Sequence, residues 1–238
     1  MSYSGSTACR TTQKWGGYFN VLGVTDFASP TLPAPFKEAL SAIRYATRSS
    51  NVPLSEIPAP KKITPYSLAL EGELPINLSA PSDAHHAYLE PEFDTSPVHG
   101  KFVLLYTPQM YENWESNFRV AVVIHSPIET DLSLDPLFTE VAWSWLGEAA
   151  GSNEIKLENL SGTVSKSTSH FFGQHAKGET ATLGATVEFH ASWSPREKAF
   201  GSPDFQIGKH FETWVSLMNL IGGYPLTVAN LNRLREFS

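Results

Sequence analysis

Cysteine is nearly absent from this 238-residue chain: Cys9 stands alone, which excludes an internal disulfide and a cysteine-only zinc site. Charge is sparse as well, at 17% of residues against about a quarter in an average domain. Positive charge is the scarcer sign. Lys+Arg 17 against Asp+Glu 24 gives net −7, without the basic footprint that nucleic-acid binding requires. No apolar run approaches the ~18–20 residues of a membrane-spanning helix. The phosphate cradle G-x-x-x-x-G-K-[ST], the dinucleotide turn G-x-G-x-x-G, the zinc helix H-E-x-x-H and the nucleophile elbow G-x-S-x-G are all missing. What remains is 41% hydrophobic and 12% aromatic, enough for a proper core.

Residues 1–32 differ from the rest. They are rich in Ser, Thr and Gly and lack the basic start and apolar run of a secretory signal. They read as a loose extension before a single domain over 33–238, and the expected location is the cytoplasm. Asn77-Leu78-Ser79 and Asn159-Leu160-Ser161 match the glycosylation pattern, which has no meaning without export.

Periodicity divides the remainder. Pro33 and Pro35 suit a first helical turn, and Phe36, Leu40, Ile43 and Ala46 recur at helical spacing, predicting a helix over 36–49. Residues 51–65 hold Pro53, Pro58, Pro60 and Pro65 and read as a stiff connector. Residues 66–74 alternate as a strand, and 75–100 form a long proline-containing loop. Strands over 101–106 and 118–125 are apolar on both faces and are expected at the centre of a sheet covered on both sides, with a helical turn over 109–117 between them. A helix over 134–150 carries Leu134, Leu137, Phe138, Val141, Ala142, Trp145, Leu146 and Ala149 as one stripe. Strands over 160–170 and 183–193 follow, then a helix over 209–221 ending at Gly222-Gly223. The predicted fold is α+β: an antiparallel sheet of about five strands with helices packed on it, in the order α-β-β-β-α-β-β-α.

Each polar constellation has a plain reading beside the sharp one. Ser161, Thr163, Ser165, Ser167 and Ser169 share one face of their strand, and Thr186, Glu188, His190 and Ser192 share one face of the next. A serine beside His190 and Glu188 has the elements of a hydrolytic relay. Residues two apart on a flat strand stand parallel, however, and this reads as a solvated or partner-facing sheet surface. His85, His86, Glu90, Glu92, Asp94 and His99 could ligate a divalent ion, but a proline-rich loop holds ligands poorly; no metal or other cofactor is expected. Trp143 falls off the helical stripe, beside Glu140 and Gly147, and reads either as an exposed interface anchor or as covered by a second layer. Arg119 and His125 share a face of a central strand, where Arg119 calls for an ion-pair partner such as Glu140 or Glu148. His210 reads as a surface or capping histidine.

Several stretches resemble a family of actinobacterial proteins, the domain-of-unknown-function family DUF3000. They are Glu56-Ile57-Pro58-Ala59-Pro60, Ala69-Leu70-Glu71, Phe102-Val103-Leu104-Leu105-Tyr106, Phe118-Arg119, Asp135-Pro136 and the run from Glu140 to Leu146. Ser161-Gly162-Thr163-Val164, Phe172-Gly173, Ala191-Ser192-Trp193-Ser194-Pro195, and His210 with Trp214 complete the set, in order over about 34–225. The resemblance implies no activity and no catalytic residue. The element order is also similar to that of small acidic secretion chaperones, which pair as dimers and bind polypeptides. The expectation is a non-enzymatic protein-binding or chaperone-like factor that contacts another protein or a second copy of itself through Trp143, Glu140, Arg119, Glu188 and His190. The alternative is an enzyme or small-ligand binder with a pocket between sheet and helices. Neither nucleic acid nor membrane is an expected partner.

Overall fold

The computed structural model describes residues 32–60, 63–76, 96–170, 183–195 and 206–226. The 1–31 extension, most of the 75–100 loop and the tail beyond 226 lie outside the described residues, as do His85, His86, Glu90, Glu92, Asp94 and Phe172-Gly173.

In chain order the elements are α1 (Ala34–Thr47), β1 (Leu54–Glu56), β2 (Tyr66–Leu74), β3 (Val98–Tyr111), β4 (Ser116–Pro127), α2 (Thr130–Leu134), α3 (Phe138–Ser152), β5 (Glu158–His170), β6 (Leu183–Ser194) and α4 (Ile207–Ile221). The strands form one six-stranded sheet in the order β1-β2-β3-β4-β6-β5, antiparallel at every junction. The predicted α+β class stands, with β3 and β4 central. The extra strand is β1, inside the proline-rich connector: three residues suffice to pair Leu54 with Gly72 and Glu56 with Leu70. The segment 109–117 is not a helical turn. β3 and β4 run on as a long hairpin to the pair Tyr111–Ser116, and Glu115 closes the turn at φ 50.

The alternation of side chains sorts the sheet into two faces. One face carries Leu70, Phe102, Val122 and Ala191 in a single cross-strand row, with Leu68, Leu104, Val120 and Trp193 in the next. All of these are buried. The helices pack on this face. α1 lays Phe36 against Tyr66 and Tyr106, ring centroids 5.8 and 5.7 Å apart. α4 inserts Phe211 and Trp214 against Phe102 at 5.6 and 5.7 Å. Room for α4 comes from Gly72 and Gly100, which face each other across β2 and β3. A Cβ on Gly100 would sit 2.5 Å from Met218 Sδ and 3.0 Å from the Trp214 ring. Each fully buried aromatic contributes ~1.5–3 kcal/mol, so this layer is the main store of stability.

The opposite face carries Glu71, Lys101, Val123, His190 and Thr163 in one row and Ala69, Val103, Ala121, Ser192 and Ser161 in the next. No described helix lies over it. Its β2–β3 side is buried at Ala69 and Leu105, its centre is half-buried, and most of its flank on β5 and β6 is exposed. Apolar residues on both faces of the central strands thus do not mean helices on both sides. Val103, Ala121 and Val123 are shielded partly by their cross-strand neighbours.

Candidate functional site

On the open face, Arg119 is held by neutral oxygens. Nη1 donates to Asn159 O at 3.0 Å and Ser194 Oγ at 3.1 Å; Nη2 donates to Ser192 Oγ at 2.7 Å, Ser192 O at 3.2 Å and Ser161 Oγ at 3.3 Å. Partial burial lowers its pKa from the ordinary value. The expected ion pair with Glu140 or Glu148 is not made, because both lie on α3, across the sheet. The guanidinium instead clamps β4, β6 and an irregular start of β5, where the register shifts between Glu158 and Ser161 and Asn159 takes φ 48.

Two rows away, Glu188 and His190 do meet. His190 Nε2 lies 2.9 Å from Glu188 Oε1, so the two parallel side chains are in direct contact. Side chains two apart on one face of a strand are close enough when both are long and exposed. A relay needs a third member: Ser192 and Ser161 bind Arg119 and lie 3.3 Å from each other, and among the described residues no hydrogen bond joins Ser165, cross-strand from Glu188, to His190. The face continues with His99–Glu73 at 3.4 Å and Lys101–Glu71 at 3.9 Å, exposed pairs that contribute little to stability. Among the described residues no group of three His, Cys, Asp or Glu side chains has metal-site geometry, and His99 is the one member of the loop cluster described.

The helix layer decides between the two readings of Trp143. Its ring stacks on Phe189 of β6 at 5.5 Å and 19°, and a Cβ on Gly162 of β5 would come within 2.8 Å of it. Trp143 is a half-buried spacer between α3 and the sheet, not an exposed anchor. Arg119, Glu188 and His190 are therefore on one side of the sheet, and Glu140 and Trp143 on the other.

The apolar stripe of α3 is also displaced. Phe138, Ala142, Leu146, Ala149 and Ala150 are buried, whereas Leu134, Leu137 and Val141, expected in the core, are 68%, 58% and 46% exposed. The cause is Asp135-Pro136. The residue before a proline avoids helical backbone, Asp135 is extended at ψ 120, and the helix restarts in a new phase at Phe138. Asp135 Oδ1 accepts from Leu137 N at 2.8 Å, and the Asp135 carbonyl accepts from Lys166 Nζ at 2.7 Å, fixing the corner to β5. With Leu132, 43% exposed, four large apolar side chains between residues 132 and 141 reach solvent. The segment's own charge is of one sign, the Lys166 ammonium at the Asp135 carbonyl coming from β5. Residues 126–155 carry Glu129, Asp131, Asp135, Glu140, Glu148 and Glu154 and no lysine, arginine or histidine. No motif marks this site, but an acid-only segment that contains a leucine cluster was a signal available in the sequence.

His210 is neither surface nor capping. It is buried on α4, and its Nδ1 accepts from Trp193 Nε1 at 3.0 Å. Burial pushes its pKa down to about 4, so the ring is neutral. The layer between helices and sheet, where a pocket was the alternative, is filled at this point by Trp193, Phe211, Trp214 and Phe102; Trp214 Nε1 is buried there with no hydrogen-bond partner among the described residues.

Fold and surface together define a two-layer α+β domain: a six-stranded antiparallel sheet, helices on one face, and an acidic, leucine-bearing corner at the α2–α3 break. Over residues 32–229 the chain matches the family described as "Protein of unknown function (DUF3000)", and it belongs to that family. No curated protein and no solved structure matches it. No described helix is long and apolar enough to cross a membrane. The element order carries four strands before α2, not three as in the likeness to secretion chaperones.

Proposed function

We propose that this domain is a non-enzymatic, chaperone-like protein-binding module that takes a cationic amphipathic segment of a partner protein at the α2–α3 corner. The observation that carries the reading is the joint exposure of Leu132, Leu134, Leu137 and Val141 within a stretch whose charged groups are all carboxylates. Exposed apolar clusters rimmed by charge suit protein contacts. Their sign selects the partner, since acidic rims attract and orient basic segments. Leu137 and Val141 lie one turn apart, the spacing at which a groove receives the apolar face of a helix. The helix break leaves these side chains outside the core, so binding needs no rearrangement of α3.

The test uses defined probes. A fluorescent Lys/Leu amphipathic peptide is titrated with wild type and with the double variant Leu134→Glu, Leu137→Glu, alongside Gln/Leu and Glu/Leu peptides of the same length. Each lost leucine contact is worth ~1–2 kcal/mol, so the variant should bind the cationic peptide at least about tenfold more weakly. Wild-type binding should weaken with salt and be poorest for the acidic peptide. Equal binding by wild type and variant, or no preference for the cationic peptide, contradicts the reading.

A further inference from the structure

The two edges of the sheet are unlike. At one end β1 has three residues, Leu54–Glu56, between Pro53 and Pro58. Shortness and proline are the usual guards against edge pairing. At the other end β5 runs for thirteen residues with no proline, and no described strand pairs with its outer side. Its two charges give little protection. Glu158 lies at the first residue, and the Lys166 ammonium is drawn back to the Asp135 carbonyl of its own chain. The strand is also held in place. The Arg119 clamp fixes its start, and Trp143 lies against Gly162. A long, rigid edge with unpaired backbone donors and acceptors is a template for another strand.

We infer that β5 pairs antiparallel with β5 of a second copy of this chain, about a two-fold axis through Val164. That register sets Thr163 opposite Ser165 and Ser161 opposite Ser167, hydroxyl facing hydroxyl on the open face of the sheet. It sets Lys166 opposite Gly162, so Lys166 does not meet its own equivalent. An isologous contact must be complementary to itself, and this register is. The result is one continuous sheet across both copies, with the helices of both on the same side and β1 as the new, guarded edge at each end. The inference rests on the sheet edge and is independent of the α2–α3 corner.

Sedimentation velocity over a concentration series tests it. Wild type should pass reversibly from monomer to dimer. Thr163→Lys with Ser165→Lys, and separately Thr163→Glu with Ser165→Glu, place like charges opposite each other twice across the axis. Each should weaken self-association about tenfold. Both positions are exposed, so thermal melting should be unchanged. An equimolar mixture of the two variants should regain a dimer at least as tight as wild type, made of one copy of each. A wild type that is monomeric throughout, variants that dimerise like wild type, or a mixture that stays monomeric overturns the inference. Should either variant melt lower, amide exchange of wild type decides: protection of β5 must rise with protein concentration, and constant protection overturns it.

Discussion

His210 shows how one side chain couples folding to pH. Its hydrogen bond to Trp193 uses the neutral ring, and burial holds the folded-state pKa at about 4, against 6.5 in the open chain. Between those values the unfolded chain takes up a proton that the folded chain refuses. The stabilisation is therefore complete above about 6.5 and declines as pH falls toward 4, by on the order of 3 kcal/mol in all. Denaturant melts of wild type and His210→Gln across this window should show the steeper loss in wild type; parallel curves would contradict the assignment. The sequence placed His210 on the last helix but misjudged its side. A stripe through Phe211, Trp214, Val215, Met218 and Ile221 is what helical spacing alone suggests, whereas the buried face also includes Ile207, His210, Thr213 and Leu217. A histidine one turn before a tryptophan is visible in sequence, whereas Trp193 reaching it from β6 is a tertiary fact.

At the scale of elements, strand periodicity was the most legible signal. The alternation of Ala185, Val187, Phe189, Ala191 and Trp193 names the buried face of β6, and Phe36, Leu40, Ile43 and Ala46 name that of α1. Helix phase across Asp135-Pro136 was not legible as drawn, because the stripe was carried through a residue that the proline holds extended. That phase puts Leu134, Leu137 and Val141 in the core, the reverse of what is found, and leaves Trp143 open between solvent and a covering layer, where the structure stacks it on Phe189. Since Trp143 spaces α3 from β5 and β6, Trp143→Ala should cost ~2 kcal/mol and lower the melting temperature by ~4–8 °C. Calorimetry showing no change would contradict that packing role. β1 was missed for a different reason: three residues among prolines carry no period, and the pairing to Gly72 is set by β2.

For the whole molecule, the helices stabilise one face of the sheet and leave chemistry-bearing side chains on the other, where Arg119 and the Glu188–His190 pair organise strands without assembling a relay. The surface with exposed apolar side chains is elsewhere, at the α2–α3 corner, in a segment whose own charged residues are all acidic. The central claim is that this corner is where the protein meets its partner. The most direct measurement is amide chemical-shift mapping of the labelled protein as the Lys/Leu peptide is added. Shifts concentrated in residues 129–144 and lost in the Leu134→Glu, Leu137→Glu variant are the predicted result. Shifts centred on the open sheet face, around Val103, Val123 and His190, or spread without focus, would contradict it.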